Sequence, residues 1–240
     1  MPPARVRRPA WLRTAGTGVK LAIAIIGCSL LATLPLAREF LLLFPAKVLS
    51  GAVWQLFTYQ FVALDALGVL FDALIVWQIG TALEASWGRR RMLGLALGMP
   101  AIAGAVTVVL VKVLIPGIEP IRFAGATVMA STIWVGYGLA HGRSQINFWG
   151  IPISGNLFAG IGALFVVLNA AFSGWSWLGV LPDALAIALT FGYFRLGSPR
   201  TWLLRFQSWR FRRQLKARST HLKLIVKDRN TRDDSDRYLH

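Results

Sequence analysis

The chain is poor in cysteine, in histidine and in acidic residues. A single cysteine, Cys28, in 240 residues excludes an intrachain disulfide framework and any cysteine-rich metal site. The three histidines, His141, His221 and His240, are too widely spaced to suggest a ligand cluster, so neither a metal nor another cofactor is expected. Charge of either sign is short: Asp, Glu, Lys and Arg make up 15% of the residues, where an ordinary globular domain has about 25%. With 55% apolar residues, that composition excludes an ordinary soluble domain. What charge there is has mostly one sign. Twenty-six Lys and Arg face ten Asp and Glu, a formal net charge of +16.

The basic residues are segregated from the apolar ones. From Arg195 to the end, 46 residues carry 13 of the basic residues and only four acids, Asp228, Asp233, Asp234 and Asp236. Before them come long apolar runs with short charged interruptions. A helix needs roughly 20 mostly apolar residues to cross a hydrocarbon core of about 30 Å. Six stretches qualify: 19–37, 66–85, 92–115, 123–140, 155–173 and 175–194. The predicted fold is therefore an all-α membrane protein, with a basic arm (1–18), a six-span domain (19–196) and a basic tail (197–240). Although Arg5, Arg7, Arg8 and Arg13 precede the first run like a secretory signal, Pro35-Leu36-Ala37 is a poor cleavage site. The first run reads as a retained anchor.

Lys and Arg in short loops set orientation. The arm, the turn at 88–91 with Arg89, Arg90 and Arg91, the loop with Arg143, and the tail fall on one side of a six-span protein. The other side holds only Arg38, Lys47, Arg122 and Lys112. Both termini are expected to be cytoplasmic, and the Arg/Ala/Gly-rich composition is read as that of a prokaryotic inner membrane. The long connection 38–65 is too apolar for a solvated loop. It is expected to lie in the membrane interface, with Trp54 and Tyr59 at headgroup depth, although an aromatic belt alone would look the same. Ala184, Ala188 and Gly192, four apart, are the favoured helix-packing stripe, ahead of Ala126/Ala130 and Gly94/Gly98. Pro100 predicts a kink.

The tail cannot span. Trp202, Phe206 and Trp209, interleaved with Arg205, Arg210, Arg212 and Arg213, suit a helix lying on an anionic leaflet, where each basic residue contributes about 1 kcal/mol. Nucleic acid is the competing partner for such a segment, but a tail joined to a membrane span meets lipid first, so none is expected. Leu222–Val226 reads as a short strand or docking peptide, and 228–237 as disordered.

Three elements in the first loop and second span carry a family likeness. Trp54-Gln-Leu-Phe-Thr-Tyr-Gln-Phe61, Phe71-Asp72, and Gly80-Thr-Ala-Leu-Glu84-Ala-Ser-Trp-Gly88 resemble the signature of the rhomboid superfamily. The likeness covers roughly 20–196 and is densest over 53–88. It implies a six-helix bundle with cytoplasmic termini and a membrane-embedded first loop. It also implies that Glu84 and Gly88 are structural. Active rhomboids are intramembrane serine proteases, with a Gly-x-Ser-Gly serine on span four, a histidine on span six, and a His and an Asn on span two. At the matching positions this chain has Thr127, Leu185, Ala63 and Gly68, and Asp72. No catalytic residue is assigned.

Physical chemistry points the same way. A hydroxyl is a weak nucleophile until a neighbouring base takes its proton, and Thr127 has no imidazole partner at the matching positions. Threonine in a membrane helix ordinarily bonds its own i−4 carbonyl or a neighbouring helix. An acid in mid-span is costly and marks function by default, so Asp72 is expected to face the bundle interior or a water pocket, with Thr127, Ser131, Asn156 or Asn169 as partner. Asp183 reads as lying near an interface and solvated. The expected function is a non-proteolytic scaffold for membrane-protein clients, contacted through Trp54, Phe57, Tyr59, Asp72 and Thr127. The alternatives are a divergent intramembrane protease using Thr127, with Asp183 as base, and a small transporter or channel.

Overall fold

In lipid the backbone must satisfy itself, so long apolar runs become helices. The computed structural model describes residues 16–114, 121–148, 150–172 and 177–196. Within them α1 is Thr17–Leu31, followed by three short helices, α2 (Pro35–Leu41), α3 (Pro45–Leu49) and α4 (Gln55–Thr58), the last continued by a 3₁₀ turn, Tyr59–Phe61. Then come α5 (Ala66–Trp87), α6 (Arg89–Leu114), α7 (Ala126–His141), α8 (Gly155–Phe172) and α9 (Trp177–Leu196). Met1–Phe194 forms one unit and Arg195 begins another. The basic arm up to 15 and the tail from 197, with every lipid-surface residue assigned to it, lie outside the described residues.

Among the described residues, three helices are long and apolar enough to cross a membrane: α5, α6 and the Leu178–Arg195 part of α9. α1 and α8 are apolar but shorter. α7 is the central helix, with eleven of its residues buried, including Ser131 and Thr132. A helix wrapped by others need not be lipophilic, which is why it carries polar groups at no cost to the lipid face. Its amino terminus is fastened by the loop: the Gly125 N–H donates to the carbonyls of Tyr59 (2.9 Å) and Val62 (3.1 Å), and the Ala126 N–H to Val62 (3.1 Å).

The signature residues of α5 join it to α1. Glu84 accepts hydrogen bonds from both the backbone N–H and the hydroxyl of Thr17, capping α1 from a neighbouring helix. Gly18 is needed there, because a Cβ would stand 2.7 Å from the Thr81 backbone nitrogen. Gly88 ends α5 at φ +80°, a conformation that favours glycine. The predicted 88–91 turn is therefore only Gly88 itself. Arg89, Arg90 and Arg91 already form the first turn of α6, since glycine alone reverses the chain.

Four other expectations are corrected. The fold is not wholly α: Gln145–Phe148 (β1) pairs antiparallel with Ile151–Ser154 (β2), with Gln145 opposite Ser154 and Gly150 in the connection at φ +84°. Pro100 does not act alone, because a π turn at Gly94–Gly98 precedes it and absorbs the lost donor. The Pro100 carbonyl accepts the Tyr59 hydroxyl at 2.6 Å. Gly94 and Gly98 have nothing near enough to pack against. The stripe on α9 is displaced: Asp183, Ala186 and Thr190 are buried, whereas Ala184 and Ala188 are exposed and Gly192 is half-buried. The polar side chains decide this rotation, since lipid would leave Asp183 and Thr190 poorly solvated. Close helix approach occurs instead at Gly138 of α7, where a Cβ would stand 2.6 Å from the Ala159 nitrogen of α8.

Candidate functional site

α5 begins at an acid cap. The Asp65 carboxylate accepts the Gly68 N–H at 2.6 Å. A Cβ at Gly68 would press within 2.7 Å of that carboxylate, so glycine at this position serves the cap. One turn further, Asp72 is 2% exposed and points toward α7. Its Oδ2 accepts the Thr127 hydroxyl at 3.2 Å. Of the four partners expected for Asp72, the Ser131 hydroxyl instead donates to the Val128 carbonyl at 3.1 Å, and Asn169 lines the same cavity.

That cavity, of about 520 Å³, lies among α5, α7 and α8. Its polar lining is Asp65, Asp72, Thr127 and Asn169, and the rest is apolar, from Leu67 and Leu70 to Leu168. No Lys, Arg or His lines it among the described residues. Phe71 and Phe165, stacked at 5.1 Å, join α5 to α8 along one side. Phe165 continues to Trp134 at 6.0 Å, and Trp134 to Phe158 at 5.5 Å, so an aromatic row runs from the cavity into the core. The chemistry on offer is hydrogen bonding in an apolar slot, with acceptance at the two carboxylates and both donation and acceptance at the Asn169 amide.

The remaining candidate residues separate. Tyr59, expected at headgroup depth and as a contact for clients, is 0% exposed. Its ring fills the space left by two glycines: a Cβ at Gly104 or at Gly125 would collide with it. A tyrosine with its hydroxyl bonded inward is a wedge between elements, not a surface anchor. Trp54 and Phe57 are exposed, at 46% and 55%. Leu185 is half-buried and packs against a buried cluster that includes Tyr59 and Val128, so the position matching the rhomboid base is an apolar contact.

Asp183, expected to be solvated near an interface, is 9% exposed, and its Oδ1 has no hydrogen-bond partner. Asp72 is buried as well, so the core holds two acids and not one. Sequence reasoning missed this: it placed Asp183 near an interface although it is the ninth of the twenty residues of the span predicted at 175–194, and its burial depends on neighbouring helices. It also missed Gln55, 1% exposed, which accepts the Phe44 N–H and donates to the Glu39 carbonyl, each at 3.0 Å. Here the sequence did hold a signal, since Gln55 stands inside the quoted Trp-Gln-Leu element.

Residues 19–194 match the family described as eukaryotic integral membrane protein (DUF1751). Among curated proteins, none matches the chain significantly. The eukaryotic description overturns the expectation of a prokaryotic inner membrane, which rested on composition alone. An integral membrane location is supported by the same match.

Proposed function

Because the chain belongs to this family of eukaryotic integral membrane proteins, matched over most of its length, we propose that it is a rhomboid-like six-span scaffold that holds the transmembrane segments of other proteins without cleaving them. The single observation that carries this reading is the Thr127–Asp72 hydrogen bond at the floor of an apolar slot. At the position matching the rhomboid nucleophile, the hydroxyl proton is committed to an acid on the facing helix. That acceptor is a carboxylate and not an imidazole, and no His lines the slot among the described residues, so the serine–histidine pair that activates a rhomboid nucleophile has no counterpart here. The slot itself favours a helix that brings a hydrogen-bond donor in mid-span, because a polar group in hydrocarbon gains by finding a partner there.

Short helices are compatible with six crossings. α7 is shielded by its neighbours, and α1 and α8 fall short of a full span by a few residues, which local bilayer thinning or flanking side chains accommodate. The test uses the full chain in proteoliposomes with a photoreactive group at Leu67 or Leu168. A model transmembrane peptide with a mid-span Asn should crosslink more than its all-Leu counterpart, and Asp72→Leu should remove the difference. Cleavage of such a peptide, lost in Thr127→Ala, would overturn the reading in favour of a divergent protease.

A further inference from the structure

The connection between α1 and α5 carries a second cavity, of about 540 Å³, unrelated to the Asp72 slot. Its rim is apolar and open: Leu36 is 90% exposed, Phe40 56%, and Trp54 46%. Leu49, Val53 and Phe57, nearby in the same connection, are exposed as well. Water would not tolerate such a surface, so this end of the bundle lies in lipid at the interface. Within the rim stands an ion pair, Lys47 Nζ to Glu39 Oε2 at 2.7 Å. Phe40 and Trp54 stack beside it, with ring centroids 5.3 Å apart.

The site is built by the buried floor. Gln55 ties the Glu39 carbonyl to the Phe44 N–H, which folds α2 back over α3 and brings Glu39 and Lys47 together. The Ser50 hydroxyl donates to the Lys47 carbonyl, and Gly51 turns the chain at φ +114°. The cavity therefore presents a fixed positive point, a fixed negative point and an aromatic face at headgroup depth.

We propose that this cavity binds the headgroup of phosphatidylcholine. The phosphate would sit on Lys47 and the trimethylammonium on Glu39 and the open ring faces of Phe40 and Trp54. The existing ion pair need not break. Lys47 has three donors and gives one to Glu39, so a phosphate finds free donors at that end, while at the other end the carboxylate draws the donor-free trimethylammonium by charge alone. Aromatic faces attract a quaternary ammonium without hydrogen bonds, whereas a primary ammonium, although Glu39 could accept from it, is a compact and strongly hydrated charge that gains less from the ring faces.

Native mass spectrometry of the full chain, released from vesicles of equal phosphatidylcholine, phosphatidylethanolamine and phosphatidylglycerol, tests this. Wild type should retain phosphatidylcholine in preference to both others, and Glu39→Gln, Lys47→Gln and Trp54→Leu should each weaken that retention roughly three- to tenfold. Equal retention of the three lipids by wild type, or an unchanged preference in the variants, overturns the proposal. Should Glu39→Gln or Lys47→Gln fail to fold, Trp54→Leu decides alone, because its ring makes no hydrogen bond and its replacement stays apolar. Failure here would leave the client reading of the Asp72 slot untouched, since the two cavities share no residue.

Discussion

Thr17 and Glu84 are 67 positions apart, yet one carboxylate satisfies two donors at the start of α1. A helix end with unmet N–H groups inside a membrane is costly, and here the cap comes from another helix. Thr17→Val removes one neutral donor to a charged acceptor and should cost about 1–2 kcal/mol. Glu84→Ala strips both bonds and should cost more, about 2–3 kcal/mol. Denaturant unfolding in detergent micelles measures both, and the order of the two variants is the test. Equal, negligible losses would mean that water at the membrane surface replaces the cap. In the connection between α1 and α5, the hydrogen bond from Lys47, and then its charge, hold the Glu39 carboxyl below the usual carboxylate range. The pair therefore persists above the ordinary carboxylate value and is lost as pH falls through the lowered one.

Among the elements, α9 shows how far periodicity can mislead. Ala184, Ala188 and Gly192 are a legitimate small-residue stripe, and small-xxx-small spacing is a real packing device. The same helix has a second stripe, Asp183, Ala186 and Thr190, and only one face can turn inward. Polarity outweighs size, because exposing an acid to lipid costs more than a looser contact. Ala186→Leu should destabilise by about 1–3 kcal/mol through overpacking, while Ala188→Leu on the exposed face should stay within about 0.5 kcal/mol. The reverse result would restore the original stripe. The π turn before Pro100 was legible only as a kink, and the hydrogen bond that Tyr59 sends to the Pro100 carbonyl from 41 residues away was not legible at all.

For the whole molecule the open quantity is the number of crossings. Ser50, in the connection between α1 and α5, and Ser144, before β1, are both exposed. Six spans separate them by three crossings, α5, α6 and α7. If only the three long apolar helices crossed, α5 and α6 alone would intervene, and the two serines would share a side. In a Cys28→Ser background, Ser50→Cys and Ser144→Cys should react with an impermeant maleimide from opposite faces of sealed vesicles. Labelling from the same face would reject the six-span topology.

The sequence by itself determined that this is a helical membrane protein, roughly where its helices run, and that Asp72, Thr127 and Glu84 require partners. Those conclusions follow from local physics: the length of apolar runs, the cost of an acid in lipid, and the conformational freedom of a glycine such as Gly88. Only the tertiary structure decided that Thr127 answers Asp72, that Glu84 caps Thr17, that Tyr59 is a buried wedge, and that Asp183 turns inward. Each of these joins residues from distant parts of the chain. Which of several possible partners a polar group meets is set by how helices pack, and no spacing within one helix encodes it.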